Sequence, residues 1–179
     1  MIAVFDLEFT AWEGSMARGW SGPGERREIV QIGAVLLDGG LAEAAAFERL
    51  VRPRLNPVLS DYFVALTGIT NERLAAEGVA FDEALAEFAR FAGGAVLASN
   101  GDDHGVIAEN CRLHGLPYPF AGRCADVSAA LSAAADRDGH VTSCLLGEAF
   151  GFPADGRAHQ ALADARAVAE AIRRSGWRP

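Results

Sequence analysis

Asp6 and Glu8 stand one residue apart at the end of an apolar run, in the segment Met1-Ile2-Ala3-Val4-Phe5-Asp6-Leu7-Glu8-Phe9-Thr10. Like charges this close disfavour joint ionisation. A divalent cation between them removes the penalty and becomes the largest local charge. An all-oxygen donor set suits a hard cation. A second acidic pair, Asp102-Asp103, follows the short apolar run Ala95-Val96-Leu97-Ala98. A third cluster pairs His159 with Asp164 in an Ala-rich segment. Each cluster has an ordinary explanation when taken alone. An exposed strand edge or turn accounts for Asp6 and Glu8. A helix N-cap with a first-turn acid accounts for Asp102-Asp103. A solvent-facing helix acid, paired with Arg157 or Arg166, accounts for Asp164. Three such clusters in this order are much harder to explain that way.

The elements around these residues follow from periodicity. Residues 1–5 predict a buried strand. A long Gly-rich loop, 11–27, follows with Trp12, Trp20, Arg18, Arg26 and Arg27. Residues 28–37 predict a second strand, Asp38-Gly39-Gly40 a hairpin turn and 44–51 the return strand. A short helix is expected near 60–65, and Asn71 is a candidate cap for another. Leu85, Phe88 and Phe91 have helical spacing. Residues 95–98 predict a short buried strand, followed by a helix to about His114. A short strand over 123–127 precedes a further helix. Thr142 or Ser143 is a candidate cap for a helix ending near Gly151. The last helix runs from about His159 to Arg174, with Gly176 beyond its end. Hairpin-linked strands followed by alternating helices and strands imply an α/β fold, a mixed sheet with helices on both faces. If the fourth strand runs parallel to the first, the acids share one carboxyl edge, where α/β proteins place their sites.

Composition narrows the function. The chain has 179 residues and is 50% hydrophobic, enough for one domain with a full core. Its net charge of −8 argues against a broad basic face for long duplex DNA. All its basic residues are Arg. The three cysteines, Cys111, Cys124 and Cys144, lack disulfide or zinc spacing and are expected to be reduced core thiols of a cytoplasmic protein. No leader is expected, because a strand begins the chain, and no apolar run approaches the ~20 residues of a membrane span.

The ordered set Phe5-Asp6-Leu7-Glu8-Phe9-Thr10, Glu28-Ile29-Val30-Gln31-Ile32-Gly33-Ala34, Leu66-Thr67-Gly68-Ile69-Thr70, Asp102-Asp103 with Ile107, and His159 with Asp164 resembles the DEDDh 3′–5′ exonucleases. That superfamily contains RNase T and the proofreading subunits of DNA polymerase and has an RNase H-like fold. Within it, the chain is most similar to Eri-like and KapD-like bacterial exonucleases, and the likeness spans residue 1 to about 172. The resemblance implies one exonuclease domain over 1–179. It would release nucleoside 5′-monophosphates from single-stranded RNA or DNA 3′ ends. It implies two divalent cations, Mg²⁺ or Mn²⁺, held by Asp6, Glu8, Asp103 and Asp164, with His159 as general base. Asp6, Glu8 and Asp164 would hold the tighter ion, with Asp6 bridging. Asp103 is preferred over Asp102 because Ile107 supplies the apolar residue four positions on; the register stays open by one residue. The resemblance sets the 3′-terminal nucleotide against Phe9, Thr10 and Leu66. Trp12 or Trp20 would stack a base, a contact worth about 1–3 kcal/mol, or pack the loop. Arg18, Arg26 and Arg27 would meet phosphates or solvate the loop. A homodimer is left open.

General chemistry agrees with those roles. Two cations about 3.5–4 Å apart can clamp the attacking and leaving oxygens of a phosphodiester. A His titrating near neutrality can take the proton of the attacking water. Two alternatives remain. A haloacid-dehalogenase-type phosphatase shares the form of Asp6-Leu7-Glu8-Phe9-Thr10, but that chemistry normally needs a Lys, and the chain has none. A binding or regulatory module could keep the fold without turnover, although all five catalytic positions are filled.

Overall fold

A computed structural model describes residues 1–153, 156 and 158–179 of the chain. Five strands form one sheet: β1 (Ile2–Phe9), β2 (Ile29–Leu37), β3 (Glu43–Leu50), β4 (Val96–Ser99) and β5 (Cys124–Asp126). Their spatial order is β3-β2-β1-β4-β5. β2 pairs antiparallel with β1 and β3, whereas β4 runs parallel to both β1 and β5. The sheet is therefore mixed, as expected, and the carboxyl ends of β1 and β4 meet at one edge.

The helices are α1 (Asp61–Thr67), α2 (Asn71–Glu77), α3 (Phe81–Ala92), α4 (Asp103–His114), α5 (Ser128–Ala134), α6 (Leu146–Phe150) and α7 (Ala161–Ser175). A single 3₁₀ turn, Ser143–Leu145, leads into α6. Alternation along β1 divides the core in two. Ala3, Phe5 and Leu7 pack with Phe81, Phe88, Val106 and Ile107 of α3 and α4. Ile2 and Val4 pack with Val168, Ala169 and Ile172 of α7. Period two then puts Asp6 and Glu8 on the α7 side, at the strand's end.

Gly33 lets α7 lie there. It pairs with Asp6 across β1 and β2. A Cβ at this position would come within 2.1 Å of the Leu162 backbone nitrogen. A glycine inside a strand often marks such a close backbone approach. The start of α7 is fixed by Gln31, whose Oε1 accepts from the Ala161 N–H at 3.0 Å. Thus β2 both makes room for the helix and satisfies its first free donor.

Several boundaries differ from the sequence expectations. The α2 cap is Thr70, which accepts from the Arg73 N–H; Asn71 instead accepts from the Leu59 N–H and ties the preceding loop down. The final helix begins at Ala161, leaving His159 in the approach. Its φ of 62° is uncommon for a residue with a Cβ. Thr142 occupies the cap position of the 3₁₀ turn without a side-chain cap bond. Among the described residues, no helix is long and apolar enough to cross a membrane.

Candidate active site

Three elements deliver the acids. β1 supplies Asp6 and Glu8 from its last turns of pleat. α4 begins at Asp103, immediately beyond the parallel strand β4, and α7 supplies Asp164 from its first turn. All four line one cavity with His159, and that cavity has a volume of about 340 Å³. This is the low end for a ligand site.

The electrostatics are those of a buried acid cluster. Burial pushes the Asp6 carboxyl well above its usual range, and Asp103, Glu8 and Asp164 push it further. Burial, then Asp164 and Asp103, raises Glu8 to about 8. Burial raises Asp103 to about 7, with Asp102 and Asp126 adding to the effect and Arg27 opposing it. Burial also raises Asp164, although the charge and backbone N–H of His159 draw it back. The His159 N–H donates to Asp164 Oδ2 at 2.9 Å, so the loop residue and the helix acid hold each other. Ligand atoms of Glu8, His159 and Asp164 all lie within 4.8 Å of one another. Four carboxylates suit a hard divalent cation. Asn100 is consistent with a further polar occupant. It lines the cavity and donates to the Val141 carbonyl, while its Oδ1 has no hydrogen-bond partner among the described residues.

The structure separates the two neighbouring aspartates. Asp103 faces the other acids, and its helical neighbour Ile107 is fully buried in the core. Asp102 occupies the α4 cap position but makes no side-chain cap bond. It is exposed, 3.6 Å from Arg27 Nη1 and 3.8 Å from His104 Nε2. Asp164 is buried, not solvent-facing. Arg166 is bound to Glu43, and Arg157 lies outside the described residues.

The loop at 11–27 forms a wall of the same cavity through Trp12, Ser15, Met16 and Trp20. Trp20 has a φ of 53°, donates from Nε1 to the Thr10 carbonyl and rests on the Phe9 ring at a 5.3 Å centroid distance. Buried Glu25 is bound by Arg18, and Arg27 by Glu109 of α4. Asn110 accepts from the Ile29 N–H and donates to the Arg27 carbonyl, pinning the loop's end to α4. Phe9, Trp12 and Leu66 line the cavity, and Thr10 does not. Thr10 is buried; its hydroxyl donates to the Arg26 carbonyl and accepts from the Glu28 N–H, closing the base of the loop. Thr10 thus shapes the wall through its hydroxyl.

Other lining residues were not singled out from the sequence. Met16 and Tyr62 are exposed at the cavity, Tyr62 one helical turn before Leu66. Ser143 lies 3.4 Å from Asp6 Oδ1 as a weak donor, and His140 and Cys144 complete that side. Cys144 is exposed and free, so only Cys111 fits a buried core thiol. Buried Glu28 accepts the backbone N–H groups of Arg54, Leu55 and Asn56, which anchors the segment leading to α1. Glu28 and Gln31 carried one sequence clue: a polar residue inside an apolar strand must find a partner.

Comparison with known proteins gives a consistent picture. The exonuclease family model RNase_T matches residues 3–172. Human 3′-5′ exoribonuclease 1 is 35% identical over 74 residues, which is 41% of this chain and 20% of that protein. The matched part therefore spans about a fifth of that relative. A 3′-exonuclease structure described as recognising the 3′ end of histone mRNA stem-loop superposes with a TM-score of 0.84 and 26% identity, over 97% of this chain and 62% of that one. The nuclease domain of 3′hExo, a DEDDh family member bound to rAMP, gives 0.78 and 25%, over 97% and 90%.

Proposed function

The chain belongs to the RNase T exonuclease family, and on that premise we propose that residues 1–179 act as one metal-dependent 3′–5′ exonuclease domain. It removes nucleoside 5′-monophosphates one at a time from single-stranded ends. The observation that carries this is the convergence of Asp6, Glu8, Asp103, Asp164 and His159 on one cavity. The nucleotide of the rAMP-bound relative supports a terminal nucleotide as the cavity's occupant.

Asp6, Glu8 and Asp164, with Asp103 opposite, would hold two divalent cations, Mg²⁺ or Mn²⁺. When bound, those cations would neutralise the carboxylates and the developing phosphate charge and acidify the attacking water. The remaining roles belong to the chain. Phe9, Trp12 and Leu66 give the terminal base and sugar an apolar surface, with Tyr62 and Met16 at its margin. His159 accepts a proton from the attacking water. The water oxygen bonds to the terminal phosphorus, the bond from phosphorus to the upstream 3′ oxygen breaks with its electron pair, and that oxygen is protonated by solvent. The Asp164 contact with the His159 backbone keeps the base beside the carboxylates. The absence of Lys disfavours a phosphoaspartate phosphatase. A cytoplasmic location fits the free cysteines.

Product analysis tests the proposal. Ribo- and deoxyribo-oligonucleotides incubated with Mn²⁺ should release nucleoside 5′-monophosphates, and EDTA should abolish release. The faster substrate identifies the preferred sugar. Nucleoside 3′-monophosphates, or release that persists in EDTA, would contradict the assignment.

A further inference from the structure

We infer that the groove sharing Trp20 with the catalytic cavity is a second subsite, a clamp for a backbone phosphate upstream of the 3′ end. The inference rests on the exonuclease assignment above. The groove is lined by Gly19, Trp20, Arg26, Arg27, Arg112 and Leu113, with Glu25 and Glu109. Its position suits a strand leaving the site. Trp20 lines both spaces, and Arg27 of the groove lies 3.6 Å from Asp102, the chain neighbour of Asp103.

The charge balance within the groove is uneven. Glu25 is neutralised by Arg18, and Glu109 by Arg27. Arg26 and Arg112 are exposed, and neither has a carboxylate partner among the described residues. Arg26 donates to the Glu25 carbonyl and Arg112 to the Ala108 carbonyl, leaving most of their N–H donors for a ligand. Both guanidinium groups line a groove that shares Trp20 with the carboxylate-lined cavity. Arg recognises phosphate through planar, paired donors. The walls are also set in advance. Asn110 and Glu109 fix the end of the loop to α4, and the Thr10 carbonyl fixes the Trp20 indole. A preformed groove spends less ordering entropy on binding. Arg112 also lies in the last turn of α4, where a cation favours the helix. A purely structural role would change stability without changing substrate-length dependence.

Fluorescence anisotropy of 5′-labelled octanucleotide and dinucleotide, with Ca²⁺ present, reads the subsite without requiring turnover. In Arg26→Ala/Arg112→Ala, octanucleotide affinity should fall about tenfold and its salt slope by about 0.7, the loss of one single-strand phosphate contact. Dinucleotide affinity should be unchanged. Hydrolysis of thymidine 5′-(p-nitrophenyl) phosphate, which cannot reach the groove, should also be unchanged. Equal octanucleotide affinity and salt slope in wild type and variant would overturn the subsite. Absence of Mn²⁺-dependent hydrolysis of both ribo- and deoxyribo-octanucleotides by the wild type, with the length-dependent binding loss intact, would overturn the exonuclease assignment and leave the subsite standing.

Discussion

The acid edge and the loop at 11–27 line the same cavity but are built differently. The acids stand on β1, α4 and α7, whose spacing is set by strand pairing and helix packing. The loop wall depends on individual long-range contacts: Arg18 with Glu25, Arg27 with Glu109, Asn110 with the Arg27 carbonyl and Trp20 with the Thr10 carbonyl. The contrast separates chemistry from recognition. Damage to the edge should stop turnover. Damage to the wall should weaken substrate binding and leave the reacting groups in place.

The largest effects belong to the edge. His159→Ala should lower turnover by roughly 100- to 10,000-fold, the usual contribution of a general base. Its circular dichroism and melting curve should stay close to wild type. Near-normal turnover in this variant would remove His159 from its role.

Gly33→Ala comes next and tests how the edge is held. Its Cβ would meet the α7 backbone, and that backbone cannot yield without moving Asp164. Overpacking typically costs 1–3 kcal/mol, and a backbone clash should lie at or above the top of that range. Thermal stability and activity should fall together. Retained activity at a lowered melting temperature would show that α7 can shift without losing the site.

A third effect is pH-dependent. Burial holds Glu8 near 8 and Asp103 near 7, above the ordinary values of 4.5 and 3.8. Between those ordinary values and the raised ones, the folded chain binds more protons than the unfolded chain. The metal-free protein should therefore lose stability as pH rises through that window. Melting temperature in EDTA should fall from about pH 5 to pH 8.5, and Mn²⁺ should flatten the decline. A metal-free curve that rises with pH would contradict the acid cluster.

The wall gives the smallest effect. Glu25→Gln removes the Arg18 ion pair inside the loop, and kinetics should show a raised KM with little change in kcat. An equal loss in kcat would mean that the loop also positions the reacting groups.

The same contrast explains what could be read from the sequence. Asp6 and Glu8 stand out in the sequence as paired acids at a strand end, and the ordered resemblance to the exonuclease motifs draws Asp103, Asp164 and His159 to them. The parallel pairing of β1 and β4 is only a condition in the sequence reading, and the strand register supplies it. Asp103 could not be separated from Asp102 by composition; the separation needed the Arg27 contact, made across 75 residues of chain. The partners of Thr10 were hidden for a related reason. Its position after the acid motif suggested the cavity, but two loop backbone groups occupy its hydroxyl. Tyr62 and Met16 left no periodic trace, because their place at the cavity depends on how α1 and the loop settle onto the sheet.

One gel tests the central claim most directly. A 5′-labelled single-stranded oligonucleotide would be incubated with Mn²⁺ and wild type, Asp103→Asn or Asp102→Asn, beside a wild-type lane in EDTA. Wild type and Asp102→Asn should give a ladder shortening from the 3′ end, while Asp103→Asn and the EDTA lane should leave the strand intact. A ladder from Asp103→Asn as strong as wild type, or shortening in EDTA, would contradict the account.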